Sequence, residues 1–294
     1  LKGEIVKIID DAPLEEVRPK GFMAVAKGKR YISWRKDQPA SLNYVEALDE
    51  GDPEVDVPYR DALFQWAAPF DRAPTLLTKL KNRYAGVIWG NTATAIVYDS
   101  WWNNRNAKTY YFNPSKPGTN ARIINDRNYQ DRYSDPGSFV TERNRYGEYV
   151  LALRGKTAFL IGDGFTEKGQ YPFLDETNLA TGNTVRLYQS NYSDQFEQLY
   201  DYKPKTKKLR VRIESKTAYP NYFMRSLGKD KKLEQLTFFE SPFKKLNKVG
   251  KELITYTRKD GLELSGVLYT PKGFDKKNPM PHPMILWAYP REYK

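Results

Sequence analysis

Residues 84–113 read YAGVIWGNTATAIVYDSWWNNRNAKTYYFN, and their pattern decides the fold class. Three runs, YAGVIW, TAIVYDSWW and KTYYFN, mix β-branched and aromatic residues at a period near two. That composition suits a pleated surface, and the intervening GNTA and NNRNA are turn signals. The stretch therefore reads as three strands of an antiparallel meander. The same alternation recurs outward from it at 148–162, 173–190, 209–223 and 233–239. Helix signals are poor. The best is PYRDALFQW, 58–66, which opens on a proline and holds an amphipathic turn or two.

The meanders repeat loosely. Trp34 and Trp89 stand at the head of comparable strand runs, and radially repeated four-stranded sheets have periods of about 40–50 residues, longer with insertions. Residues 1–245 are thus expected to form part of a β-propeller with irregular four-stranded blades, incomplete at the N-terminal side. A β-sandwich is the alternative, and the number of strands in one run argues against it. From Lys251 the character changes. KELITYTRKDGLELSGVLYTPKGF holds a Lys-Asp-Gly turn between alternating apolar residues, a strong hairpin signal. Pro271, Gly273, Pro279, Pro281 and Pro283 then make a stiff connector into MILWAY, 284–289. A continuous apolar run of this length suits a strand buried on both faces of a parallel sheet. Residues 246–294 are read as a linker and the first elements of a truncated α/β domain.

The whole chain has 294 residues, with 22 Tyr, 14 Phe and 6 Trp, so a core built on rings is expected despite a mean hydropathy of −0.75. The formal charge of +12 favours acidic partners, yet no basic stretch forms a nucleic-acid module. The one local concentration is KPKTKKLRVR, 203–212. Cysteine is absent, which removes disulfides, thiolate catalysis and Cys-ligated metals. No stretch approaches the roughly 18 apolar residues of a membrane span, and the start does not resemble a signal peptide. The first residue is Leu1, and both ends look like cuts through a longer protein. The compartment is left open.

The usual catalytic constellations are missing from these residues. There is no GxSxG elbow, and the single histidine, His282, sits between two prolines as an expected loop residue. A Ser–His–Asp triad cannot be assembled with it. Asp126, Asp131 and Asp135 lack the ligand spacing of a calcium loop, so Asx-capped turns are the better account. No phosphate-binding glycine motif and no cofactor signature is present, and no metal or cofactor is expected.

The segment YTRKDGLELSGVLYTPKGFDKKNPMPHPMILWAYPREYK, 256–294, resembles the junction of prolyl oligopeptidase family (S9) serine peptidases, where the propeller passes into the α/β-hydrolase domain. The Tyr-Pro at the end of the apolar run is closer to the glutamyl endopeptidase branch. ISWRKDQPASLNYVEALDEGD (32–52), VYDSWWNNRNAKTYYFNP (97–114), YSDPGSF (133–139) and PFLDETNLATGN (172–183) resemble the same branch, in order along nearly the whole chain.

The resemblance implies a two-domain peptidase whose propeller gates access and whose hydrolase domain carries a Ser–Asp–His triad lying beyond this chain. It implies peptide substrates, cut after acidic residues, and the rest of the hydrolase domain as a partner. It places Tyr289 as the hydroxyl donor to the oxyanion, with Pro290-Arg291 following in place of the glycines of other branches. Arg291 is then a candidate for the acidic side chain, with Arg105, Arg127 and Arg143 as alternatives. This chain alone is expected to be inactive. Two other readings remain: a non-catalytic propeller that binds peptides or proteins, and a basic, aromatic-rich nucleic-acid binder.

Overall fold

The computed structural model describes residues 3–288 apart from 6, 13, 15, 17, 120 and 247. The chain lays down four antiparallel sheets in succession. Sheet 1 holds β1 (Arg30–Trp34), β2 (Ser41–Ala47), β3 (Asp61–Ala67) and β4 (Thr75–Leu80). Sheet 2 holds β5 (Arg83–Asn91), β6 (Thr94–Trp101), β7 (Asn106–Phe112) and β8 (Arg122–Asn128).

The third unit is interrupted. It runs through β9 (Ser138–Phe139), a side hairpin of β10 (Thr141–Arg143) and β11 (Tyr149–Leu151), then β12 (Leu153–Arg154) and β13 (Thr157–Gly162). A small hairpin, β14 (Phe165–Thr166) and β15 (Gly169–Gln170), precedes β16 (Phe173–Asn178) and β17 (Thr184–Gln189). Sheet 3 proper is β9 and β12 on one edge, then β13, β16 and β17. Sheet 4 holds β18 (Gln195–Lys203), β19 (Lys208–Ser215), β20 (Asn221–Ser226) and β21 (Leu233–Gln235). The hairpin of β22 (Gly250–Thr257) and β23 (Glu263–Thr270) follows, around a turn in which Arg258 N–H donates to Leu262 O and Gly261 takes φ +89°. Among the described residues there is no α-helix, and no helix long and apolar enough to cross a membrane.

Stacking explains why β6 is apolar at consecutive positions. Its side chains alternate between two neighbouring sheets, so both faces are buried. Ala95 and Val97 join Trp89, Tyr110 and Phe112 against Val45, Leu63, Leu77 and Leu80 of sheet 1. Ile96 and Tyr98 point the other way, against Leu151, Ala158 and Leu179 of the third unit. Phe159 and Leu174 then turn from sheet 3 toward Leu199, Leu209 and Val211 of sheet 4. Each fully buried side chain of this size is worth about 1.5–3 kcal/mol. Sheet packs on sheet three times, 1 on 2, 2 on 3 and 3 on 4.

The first strands of the sheets begin at Arg30, Arg83, Ser138 and Gln195, roughly 55 residues apart, as the Trp34–Trp89 repeat suggests. Together the sheets make an open arc, a partial β-propeller. Among the described residues no apolar cluster joins sheet 4 back to sheet 1. The face of sheet 1 away from sheet 2 carries Tyr44 stacked on Phe64 (5.3 Å) and Phe70 edge-on to Trp66 (5.7 Å). Burial pushes the Tyr44 hydroxyl up to about 12, with Glu46 adding to the effect.

Two expectations need correction or completion. The helix expected at 58–66 is not formed; β3 occupies most of it. Leu63 faces the sheet 1–sheet 2 core, while Phe64 stacks on Tyr44 on the opposite face. An amphipathic helix would have put both on one side, so tertiary packing overrides a weak local pattern. Of the apolar run expected as a buried strand at 284–289, residue 289 lies outside the described residues. Residues 284–288 pair with no strand, and Met284, Ile285, Leu286 and Trp287 are 77–95 % exposed.

Candidate functional site

Alternate turns of an antiparallel meander lie at the same end. The β2–β3 loop, the β6–β7 turn, residues 129–137, the β13–β16 loop and the β19–β20 turn therefore share one end of the arc. The β22–β23 hairpin leaves from that end. An open pocket of about 540 Å³ lies at the junction, lined by Ser193, Asp194, Glu214, Tyr219, Ser241 and Lys251 among others.

At this end Arg30, Arg60 and Arg83 hold sheet 1 to sheet 2. Arg83, at the head of β5, places Nη1 and Nη2 each 2.8 Å from the two oxygens of Asp49, and Nη1 3.1 Å from Asp61 Oδ1. Both carboxylates are fully buried as side chains. Arg60 donates to Asp49 (2.9 Å) and lies over the Trp101 ring, 4.2 Å from its centre. Arg30 donates to Asp61 (2.7 Å), as does the Tyr84 backbone N–H (2.8 Å). Arg83 Nε also donates to Met23 O (2.8 Å), so the segment preceding β1 is tied into the same joint. Two buried anions here meet three cations and backbone donors, which is what makes burying them affordable.

A second polar group stiffens sheet 2. Asp99 accepts from the Tyr110 hydroxyl (2.6 Å), Asn82 N–H (3.0 Å) and Asn82 Nδ2 (3.0 Å). Burial holds its carboxyl above the usual carboxylate range, and those three donors partly oppose the shift. Asp126, by contrast, is held low by the Lys108 ammonium that donates to it at 2.8 Å. Between sheets 3 and 4, Glu197 is buried and accepts from Arg225 Nη2 (2.6 Å), while its other oxygen takes the Tyr188 hydroxyl. Burial tends to lower the Arg225 guanidinium, but the Glu197 carboxylate outweighs it and the net direction is up.

The alternative arginines for an acidic substrate fall into different places. Arg105 is buried, with its guanidinium 3.9 Å over Trp102 and its Nη1 donating to Trp102 O. Arg127 is taken up by Asp135 Oδ2 (2.8 Å) and Asp131 O (2.7 Å). Arg143 lies on the β10–β11 hairpin, over the Tyr149 ring at 5.2 Å. Tyr289 and Arg291 lie outside the described residues. Asp131 and Asp135 cap the N–H groups of Tyr133 and Gly137, as Asx turns do. His282 is exposed, 6.0 Å from the Phe274 ring. Among the described residues no group of acidic or histidine side chains could hold a metal.

The inter-sheet joints were not legible in the sequence, because their partners are 22–34 residues apart and lie on different sheets. What could have flagged Arg83 is its place, a charge just ahead of an apolar strand.

Compared with known proteins, the chain matches no family model. Over 99 % of its length it is 38 % identical to a rice (Oryza sativa subsp. japonica) protein named "Probable glutamyl endopeptidase, chloroplastic". Over nearly its whole length the chain is a relative of proteins named glutamyl endopeptidase. The Arabidopsis thaliana protein of the same name is 37 % identical, again over 99 % of the chain. The chain spans 33 % and 32 % of these two relatives, about a third of their length. Among solved structures, oligopeptidase B from Leishmania major aligns with a TM-score of 0.45 at 11 % identity, covering 85 % of this chain and 40 % of that one. Dipeptidyl peptidase 4 from Porphyromonas gingivalis aligns at 0.46 and 12 %, covering 83 % and 42 %. The fold described above rests on the chain's own sheet order and stacking.

Proposed function

We propose that this chain is the non-catalytic portion of a serine peptidase that hydrolyses peptides after acidic residues. The observation that carries the reading is the 38 % identity to a glutamyl endopeptidase over 99 % of the chain. In this reading residues 1–245 are propeller, and 246–294 link into and open an α/β-hydrolase domain. Met284 to Trp287, exposed here, would be covered by the remainder of that domain. The β22–β23 hairpin following sheet 4 supports it, since it leads from the last sheet of the arc into that segment.

The chemistry would run through a serine, histidine and aspartate supplied by the rest of the polypeptide. The serine attacks the scissile carbonyl, an acyl-enzyme forms as the amine leaves, and water releases the acid. Within this chain, the Tyr289 hydroxyl would donate to the oxygen as negative charge develops. One preorganised donor of this kind is worth about 2.7–4 kcal/mol, or 10²–10³ in kcat. Arg291, two residues on, would meet the acidic side chain. Arg127 fits that role less well, because Asp135 and a backbone carbonyl already use its guanidinium. The net charge of +12 would draw acidic peptides toward the arc.

The test is direct. The chain alone should show no peptidase turnover and no labelling by a serine-reactive fluorophosphonate. The longer polypeptide should be labelled, and Tyr289→Phe in it should lower kcat by roughly 10²–10³ with little change in KM. A labelled, active fragment would overturn the assignment of the triad. An unlabelled full-length protein that still binds peptides would leave a propeller binding module instead.

A further inference from the structure

The basic run at 203–212 gains a neighbour in the fold. Residues 203–208, KPKTKK, make the turn between β18 and β19, where Thr206 N–H donates to Lys203 O (3.2 Å). Residues 227–232, LGKDKK, join β20 to β21. Leu227 N–H donates to Lys207 O (2.9 Å), which ties the two loops together, and Ser226 N–H donates to Lys232 O (2.8 Å), which closes the second. Four lysines of the first loop and three of the second thus share one end of sheet 4, and all of them are exposed. Asp230 is the single carboxylate in either loop, so together they carry +6, half of the chain's formal +12. Flanking Asp201 and Glu234, set against Arg210, take away only one charge.

This is the opposite end of the sheet from the β22–β23 hairpin. The β19–β20 turn lies at the hairpin's end, where Thr217 and Tyr219 line the junction pocket with Ser241 and Lys251. The lysine loops are the alternate turns of the same meander.

The charge is left unneutralised. None of these lysines forms an ion pair among the described residues, whereas in the same sheet Arg212 takes Glu214 and Arg225 takes Glu197. Lys203 and Lys208 are direct partners across β18 and β19, and like charges set opposite one another destabilise a sheet. An anion from outside the chain would relieve that repulsion.

The chemistry favours a diffuse anionic surface over a nucleic-acid strand. Every cation in the two loops is a lysine, a compact point charge on a flexible stem, whereas gripping individual phosphates favours the arginine fork. Neither loop holds an aromatic residue on which a base could stack. Beside them on the β21 edge, Leu233 and Leu236 are exposed and offer apolar contact of the kind interfacial segments use.

We propose that the 203–208 and 227–232 loops form a docking surface for a membrane rich in anionic lipid. Their ammonium groups meet the lipid phosphates, and the end of the sheet that carries the β22–β23 hairpin faces away. Each lysine close to such a surface is worth about fivefold in affinity.

Vesicle co-sedimentation of the full-length protein tests this. At about 0.1 M salt it should bind phosphatidylcholine vesicles containing about 30 % phosphatidylglycerol and not pure phosphatidylcholine, and about 1 M salt should release it. Lys205→Gln with Lys231→Gln should weaken that binding by roughly 25-fold. Lys168→Gln with Lys216→Gln removes the same charge from loops at the other end and should leave it nearly unchanged. Equal weakening by the two pairs would assign the binding to overall charge and overturn the docking surface, as would the absence of any preference for phosphatidylglycerol. A DNA duplex bound more tightly than the vesicles, and released by the same Lys205 and Lys231 changes, would overturn the lipid assignment in favour of nucleic acid.

Discussion

Replacing Arg83 with Met tests the joint between sheets 1 and 2. Arg83 has 4 % of its side chain exposed and supplies charge to two fully buried carboxylates. Removing one partner of a buried pair costs about 3–5 kcal/mol, because a charge is left in a poor solvent. Here each anion keeps a second arginine, Arg60 at 2.9 Å for Asp49 and Arg30 at 2.7 Å for Asp61. That moves the expectation to the lower end, about 3 kcal/mol, a large share of the 5–15 kcal/mol typical of a domain. Met fills the aliphatic part of the volume, so the loss reports on charge more than on packing. Urea unfolding of the Arg83→Met chain, with Asp61→Asn and the double variant, closes the cycle. A coupling of about 0.5–3 kcal/mol is expected between the two positions. A single-variant loss below about 1 kcal/mol, the worth of an exposed pair, would refute the reasoning.

Tyr110→Phe removes one donor to Asp99 and should cost about 1.5–3 kcal/mol at pH 7, the value of a hydrogen bond to a charged group. Burial raises the folded-state pKa of Asp99, so its ionised form costs stability above that pKa, and the cost disappears below the unfolded value near 3.9. The loss in the variant should therefore shrink as pH falls through this window, and a pH-independent loss in urea titrations would contradict it. The parent chain should self-associate in sedimentation velocity through its exposed run, and Ile285→Glu with Trp287→Glu should make it monomeric. Strong amide protection at 284–288 in a monomeric parent would count against that.

The sequence carried the strands well where the alternation was clean. The runs at 94–101, 173–178 and 184–189 became β6, β16 and β17, and the Lys-Asp-Gly turn became the β22–β23 hairpin. Ala95 and Ile96 show what was missed: adjacent apolar residues in β6 serve two different sheets, which is a statement about stacking that no local window contains. The 58–66 segment failed for the same reason, since Leu63 and Phe64 are sorted to opposite faces by neighbours far away in sequence. Of the candidate site, the resemblance marked the family, while Arg105, Arg127 and Arg143 turned out to sit in three different surroundings that spacing alone cannot distinguish. The division of 148–153 was hidden as well. EYVLAL reads as one strand, and the structure divides it between a hairpin and a sheet edge.

The central proposal, that this chain is part of a serine peptidase whose triad lies outside it, is tested most directly by reading the coding sequence downstream of codon 294. The account predicts an open frame that encodes a GxSxG elbow, then the aspartate, then the histidine. A stop codon, or a continuation lacking those residues in that order, would contradict it.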